Sequence, residues 1–139
     1  MSPRSDSGAP DGTAEVQAAA EGAKLLLAVR GWIDQDPDQG DRDELRGLLE
    51  LVQDPSSPEQ RAQEAVADLA ERFGGTLRFG TAGLRAQLGA GPMRMNRAVV
   101  RRAAAGVAAH VLEAAGPDPA PRAVIGFDAR HRSADFARD

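Results

Sequence analysis

Hydrophobic and polar positions settle into a helical period from Ala14 onward. Val16, Ala19, Ala20, Ala23, Leu26 and Leu27 make one apolar stripe, with Gly31 as its expected end and Trp32 and Ile33 folding back onto it. After a polar turn around Pro37, Asp41 and Glu44 have capping-box spacing. Leu45, Leu48, Leu49 and Val52 then form a second stripe. Ser57, Pro58 and Gln60 supply a cap, a first-turn proline and a capping-box partner for a third helix, which buries Ala62, Ala65, Val66 and Leu69 and stops at Gly74–Gly75. Residues 14–73 therefore read as a helical extension. The preceding residues 1–13 are Ser, Pro, Gly and Asp with little to bury, a composition expected to be disordered.

At Thr76 the period changes. Residues 76–79 and 84–88 read as short strands around Gly80–Gly83, and Gly89–Pro92 as a turn. Asn96 caps a helix with the stripe Val99, Val100, Ala103, Val107 and Val111, ended by Gly116. A Pro-rich loop follows at 117–121. Arg122–Phe127 reads as a buried strand, and Ser133 opens a last helix with Phe136 on its inner side. Strand, helix, strand and helix in this order predict an α/β fold, a mixed sheet flanked by helices, of which residues 74–139 are an incomplete domain.

Composition narrows the chemistry. The 139 residues include 27 alanines, four Phe, one Trp and no Tyr, so the core must be built from closely packed small residues. The absence of cysteine excludes disulfides, thiolate nucleophiles and Cys-ligated metal, and two histidines exclude a histidine-rich metal site. No apolar run reaches the roughly 18 residues of a membrane span, and MSPRSDSGAP lacks the apolar core of a secretory signal, so a cytoplasmic setting is expected.

The net charge of −4 hides an asymmetry: residues 1–70 carry −9 and residues 71–139 carry +5. The basic half suits either nucleic acid or small anions. Arg94, Arg97, Arg101 and Arg102 read as a solvated helix face, without the aromatic interleaving of a nucleic-acid surface. Arginines at a helix start also call for a nearby negative partner. Asp34, Asp36, Asp38 and Asp41 read as a solvated acidic turn. Trp32 reads as an anchor between helices, and Met93 and Met95 as packing or loop residues.

Two segments carry candidate chemistry. In Arg78-Phe-Gly-Thr-Ala-Gly-Leu-Arg85, a tight loop can offer backbone N–H groups and the Thr81 hydroxyl to an anion, with Gly83 shaping the turn and Arg78 and Arg85 bracketing it. The same residues also suit a plain turn with solvated arginines. The P-loop and dinucleotide fingerprints are both absent. In Gly126-Phe-Asp-Ala-Arg-His-Arg-Ser133, Asp128 falls at the end of an expected strand, where α/β sheets gather ligands. There Asp128 and Arg130 can pair, and His131, Arg132 and Ser133 can reach the same place. The alternative is a connection whose polar groups satisfy one another.

Together with Met95–Asn96 and the prelude Trp32-Ile-Asp-Gln-Asp-Pro37, these two segments resemble the α-D-phosphohexomutase superfamily over residues 20–139. The branch they resemble is the phosphoglucomutase/phosphopentomutase-like one, often labelled phosphomannomutase in bacteria. The resemblance implies an enzyme that interconverts sugar 1-phosphates and 6-phosphates, or pentose 1- and 5-phosphates. It works through a phosphoserine, a sugar bisphosphate intermediate and Mg²⁺. It implies that Arg85 neutralises the phosphoserine, that Arg78, Thr81 and Gly83 shape its loop, and that Asp128, Arg130 and His131 support it. The family's Thr-x-Ser-His-Asn-Pro nucleophile loop and its metal ligands are not in these residues, and Ser133 has the wrong neighbours to be that serine. The chain alone is thus expected to be inactive and to need the remaining mutase domains. It is expected to bind no nucleic acid or membrane. The other readings are a standalone anion-binding or interaction module and, third, a weak, salt-sensitive nucleic-acid binder.

Overall fold

The computed structural model describes residues 12–116 and 120–139. Among them are five helices: α1 (Gly12–Gln35), α2 (Gln39–Gln53), α3 (Glu59–Phe73), α4 (Arg97–Ala115) and α5 (Ser133–Arg138). The expected tail lies outside the described residues up to position 11, while Gly12 and Thr13 already belong to α1. The start of the Pro-rich loop, 117–119, is also outside them.

The first three helices pack on one another as a small bundle. Gly31 does not end α1. The helix runs on because Val29, Trp32 and Ile33 continue an i, i+3, i+4 stripe into the core, and that burial outweighs the cost of one helical glycine. The buried stripe is therefore later than Val16 to Leu27 implies: Val16 and Leu27 are exposed, whereas Leu25 and Leu26 are partly covered. Leu45 and Leu49 from α2, with Ala65 and Leu69 from α3, complete the bundle interior. Trp32 meets Phe73 edge to face, with centroids 6.1 Å apart at 86°.

The α2 cap is Asp38 rather than Asp41: its carboxylate accepts from the Asp41 N–H at 3.2 Å. That frees Asp41 and Glu44 for tertiary contacts. The α3 start is displaced by one residue, with Pro58 at the cap position and no side-chain cap.

Gly89–Pro92 is the turn that carries the chain onto this bundle. Ala90 is fully buried. Its N–H donates to Glu44 Oε2 at 3.1 Å, and its carbonyl accepts from Arg72 Nη1 at 3.2 Å. Arg72 and Glu44 pair at 2.6 Å, which closes a three-way junction of α2, α3 and the turn. Gly91 has φ +106°, and a Cβ there would come within 3.1 Å of the Arg72 Cβ, so both backbone and packing require glycine. Asn96, fully buried, caps α4 as expected: its Oδ1 accepts from the Val99 N–H at 2.9 Å. Its Nδ2 donates back to the carbonyls of Gly89 and Gly91 at 2.9 and 2.8 Å. Ala98 and Val99 join the core next to Ala90. Beyond them α4 leaves the bundle, and Val107, Val111 and Leu112 are exposed.

The sheet expected from residues 76–79, 84–88 and 122–127 is not formed among the described residues. They hold only isolated bridges, Gly80 with Gly83 and Leu88 with Met95. A strand persists by pairing its backbone groups and covering its side chains. Residues 122–127 have neither here: Val124, Ile125 and Phe127 are exposed. The strand propensity is present, but the neighbouring strands that would express it are not among these residues.

Asn96→Ala is expected to cost roughly 3 kcal/mol, from loss of a cap and of the donor to two turn carbonyls. Asn96→Asp, which keeps the cap acceptor but removes that donor, should be nearly as damaging in urea unfolding. Full stability in Asn96→Asp would show that the turn does not depend on the amide.

Candidate functional site: an arginine and histidine cleft

The two sequence segments with candidate chemistry meet across one cleft of about 720 Å³. One wall is Ala82, Leu84, Arg85, Ala86 and Leu88, with Met95 beside them. The other is Arg130, His131, Ser133 and Phe136 from the approach and first turns of α5. The lining holds no Asp or Glu, so its ionisable groups are two guanidiniums and an imidazole. Such a surface favours an anion.

Local hydrogen bonding explains each wall. Gly80 and Gly83 exchange both backbone hydrogen bonds at 3.1 Å, leaving Thr81 and Ala82 as a two-residue turn. Gly83 has φ +90°, a conformation that favours glycine. The expected cradle of glycine N–H groups is therefore corrected: these N–H groups are spent closing the turn. Arg78, Thr81 and Gly83 lie outside the cleft lining, and Arg85 is the bracketing arginine that enters it. The Leu88–Met95 bridge fixes this wall, through Met95 N–H to the Gln87 carbonyl at 2.8 Å. Asn96 is the next residue, so the turn junction and the cleft wall are continuous.

On the opposite wall, Asp128 and Arg130 pair as expected. Asp128 accepts from the Arg130 backbone N–H at 3.1 Å and from its Nε at 2.8 Å. The first of these, helped by the guanidinium, holds the Asp128 carboxyl below its ordinary value. Asp128 stays outside the lining, while Arg130 remains within it. The Asp128 N–H also donates to the Ser133 Oγ at 3.2 Å. Ser133 thus braces this loop and does not cap α5, whose cap position is Arg132.

Several arginines that read as solvated are structural. Arg94 is buried against Glu71 at 3.1 Å and Asp68 at 3.6 Å. The Arg102 guanidinium lies 4.5 Å from the Trp32 ring centroid. Arg97 and Arg101 both grip Asp139, at 2.7 Å each, and Asp139 is the negative partner that the start of α4 calls for. In the acidic turn Asp34 is exposed as expected, but Asp36 and Asp41 are not solvated. Asp36 is buried and accepts from Trp32 Nε1 at 2.7 Å. Asp41 is buried and paired with Arg132 at 2.9 Å. Sequence reasoning put Arg132 at the ligand place with His131 and Ser133, but it lies outside the cleft lining and turns to Asp38 and Asp41. The roles of Asp38, Asp41 and Asp139 were missed because their partners lie about 40 to 90 positions away. A run of closely spaced carboxylates beside a helix cap was the available signal.

Residues 76–139 match the family model for phosphoglucomutase/phosphomannomutase, alpha/beta/alpha domain I. Over this segment the chain is similar to that family. Among relatives, a probable phosphoribomutase of Schizosaccharomyces pombe is 35% identical over 82% of this chain and 17% of its own length. A phosphoribomutase of Saccharomyces cerevisiae is 46% identical over 51% of this chain and 11% of its own. A phosphoglucomutase of Staphylococcus haemolyticus is 44% identical over 44% of this chain and 11% of its own. The chain thus spans between 11% and 17% of the length of these relatives. No solved structure matches it significantly. The matched segment contains both cleft walls, and the helices before it form the bundle.

The Mg²⁺ that the resemblance implies would find no ligand set among the described residues. Among the described residues no group of three His, Cys, Asp or Glu side chains can hold a metal ion, and the cleft is cationic. Among the same residues no helix is long and apolar enough to cross a membrane.

The Asp139 link has a pH signature. Its carboxyl is lowered from 3.8 to about 2, first by the Arg97 hydrogen bond and then by Arg101. A depressed carboxyl stabilises the fold above its unfolded value and loses that contribution as pH falls through the folded one. The melting-temperature gap between the wild type and Asp139→Asn should be constant above about pH 5, shrink between about pH 4 and 2, and close below that. A gap independent of pH would contradict this assignment.

Proposed function

We propose that this chain supplies the first domain of a phosphosugar mutase. The enzyme interconverts sugar 1-phosphates and 6-phosphates, or pentose 1- and 5-phosphates, through a phosphoserine and a bound sugar bisphosphate. The observation that carries the reading is the cleft: Arg85 and the Arg130–His131 pair, 45 positions apart, share one wall-to-wall site whose lining has no carboxylate. Dispersed positive charge around a site is what a phosphoryl group in transfer requires. Arg85 is the residue assigned to the phosphoserine. Asp128 orients Arg130, and the Gly80–Gly83 turn sets the position of Arg85.

The match of residues 76–139 to the phosphoglucomutase/phosphomannomutase family model supports the same reaction class. The nucleophile loop, the Mg²⁺ ligands and the sugar-selecting groups belong to other parts of the enzyme, so these 139 residues alone are expected to give no turnover. Most arginines of the basic half already face carboxylates or Trp32, which leaves little of that charge for a nucleic-acid backbone.

The test is the product of the continuous reading frame that contains these residues. It should interconvert ribose 1- and 5-phosphate or glucose 1- and 6-phosphate in a Mg²⁺-dependent assay. Arg85→Ala should lower kcat by about 10²-fold or more, the scale of removing one charge-stabilising donor. A frame without a Thr-x-Ser-His-Asn-Pro loop, or an Arg85→Ala enzyme of unchanged kcat, would overturn the assignment.

A further inference from the structure

Arg132 is the one non-glycine residue with positive φ among the described residues, at +64°. A long side chain in that left-handed region is held there by its surroundings. What surrounds it is the N-terminus of α2. Nη2 of Arg132 donates to Asp38 Oδ2 at 2.6 Å, and Nη1 donates to Asp41 Oδ1 at 2.9 Å. These contacts join residues more than 90 positions apart. Both the guanidinium and the Asp41 carboxylate are largely out of solvent. The guanidinium also lies 5.6 Å from the Phe136 ring centroid, and Phe136 lines the cleft. On either side of Arg132 along the chain are His131 and Ser133, with Arg130 one residue further; all three line the cleft.

We infer that Arg132 is a positioning residue: clasped between Asp38 and Asp41, it pins the Arg130–His131 loop to the helical bundle and thereby sets the distance of that wall from Arg85. The inference rests on the reading of the cleft as a phosphate site. The clasp works by a planar fork meeting two carboxylates, one of which is already oriented by capping α2. Arg132 itself is outside the cleft lining. Its contribution is geometric: by taking an αL conformation it turns the chain between the loop and α5, and the two carboxylates fix the direction of that turn.

The discriminating experiment uses inorganic phosphate as the probe and the 139-residue chain, followed by amide NMR. Asp38→Asn/Asp41→Asn removes two negative charges, leaves near-isosteric side chains, and keeps a competent cap at position 38. If the carboxylates act by positioning, phosphate binding weakens about fivefold although the protein becomes more positive. If the region acts only through its field, binding tightens instead, and the inference is overturned. Arg132→Gly, which relieves the left-handed strain but removes the fork, should weaken binding to a similar extent, and Arg132→Lys should restore part of it. Trp32 fluorescence reports whether the bundle stays folded in each variant.

Hydrogen exchange gives a readout that does not depend on phosphate. The Arg130 and Ser133 N–H groups, bonded to Asp128 and to the Arg130 carbonyl, should exchange about tenfold faster in Arg132→Gly and in the double variant, with α2 and α3 core amides unchanged. Unchanged exchange at those two amides would overturn the clasp. A wild-type chain that shows no phosphate-induced shifts at Arg85, Arg130 or His131 would overturn the reading of the cleft, and the exchange measurement would then decide the clasp alone.

Discussion

One buried amide holds this structure together at its junction. Asn96 caps α4 with its oxygen and ties the Gly89–Pro92 turn with its nitrogen, and it has no exposure to water. An amide does both at once because it is the one short side chain with an acceptor and two donors. The turn it ties is the same turn that enters the α2–α3 groove, where Glu44 and Arg72 hold the Ala90 backbone. The cleft wall begins one residue earlier, at Met95. Bundle, turn, helix and cleft are therefore linked within a few residues.

The charge asymmetry becomes an internal interface. Carboxylates of the acidic half, Asp38, Asp41, Glu44 and Asp68, are met by Arg132, Arg72 and Arg94 of the basic half. Such pairs are modest as sources of stability, since desolvation offsets much of the attraction. Asp41 shows this directly: burial raises its carboxyl, against the lowering by Arg132. Their value lies in direction, because a fork between two carboxylates tolerates few orientations. The arginines of the cleft lining, Arg85 and Arg130, make no ion pair to the acidic half, Arg130 being held by Asp128 beside it.

The helices were legible because burial follows their 3.6-residue period. Leu45, Leu49, Ala65 and Leu69 could be chosen from spacing, and so could the Asn96 cap and the Gly116 end. Gly31 misled because local helix cost was weighed without the buried Trp32 and Ile33 that repay it. The strands failed for the opposite reason. Val124, Ile125 and Phe127 have strand character, but pairing is a property of neighbours, and no neighbouring strand is among the described residues. In the cleft, Arg85, Asp128, Arg130 and His131 were legible as residue types near tight turns. That Arg85 and Arg130 share a site, and that Arg132 turns back to α2, depends on contacts over 45 and more than 90 positions, which no local pattern encodes.

The central claim is that the helical bundle is the platform on which the cleft stands, so that both are parts of one folded unit. The chain carries a natural pair of reporters, the single Trp32 in the bundle core and His131 in the cleft. Urea unfolding followed by Trp32 fluorescence and by the His131 imidazole resonance tests the claim most directly. The account predicts coincident midpoints for the two probes. Loss of the native His131 resonance at a clearly lower urea concentration, with Trp32 still buried, would contradict it.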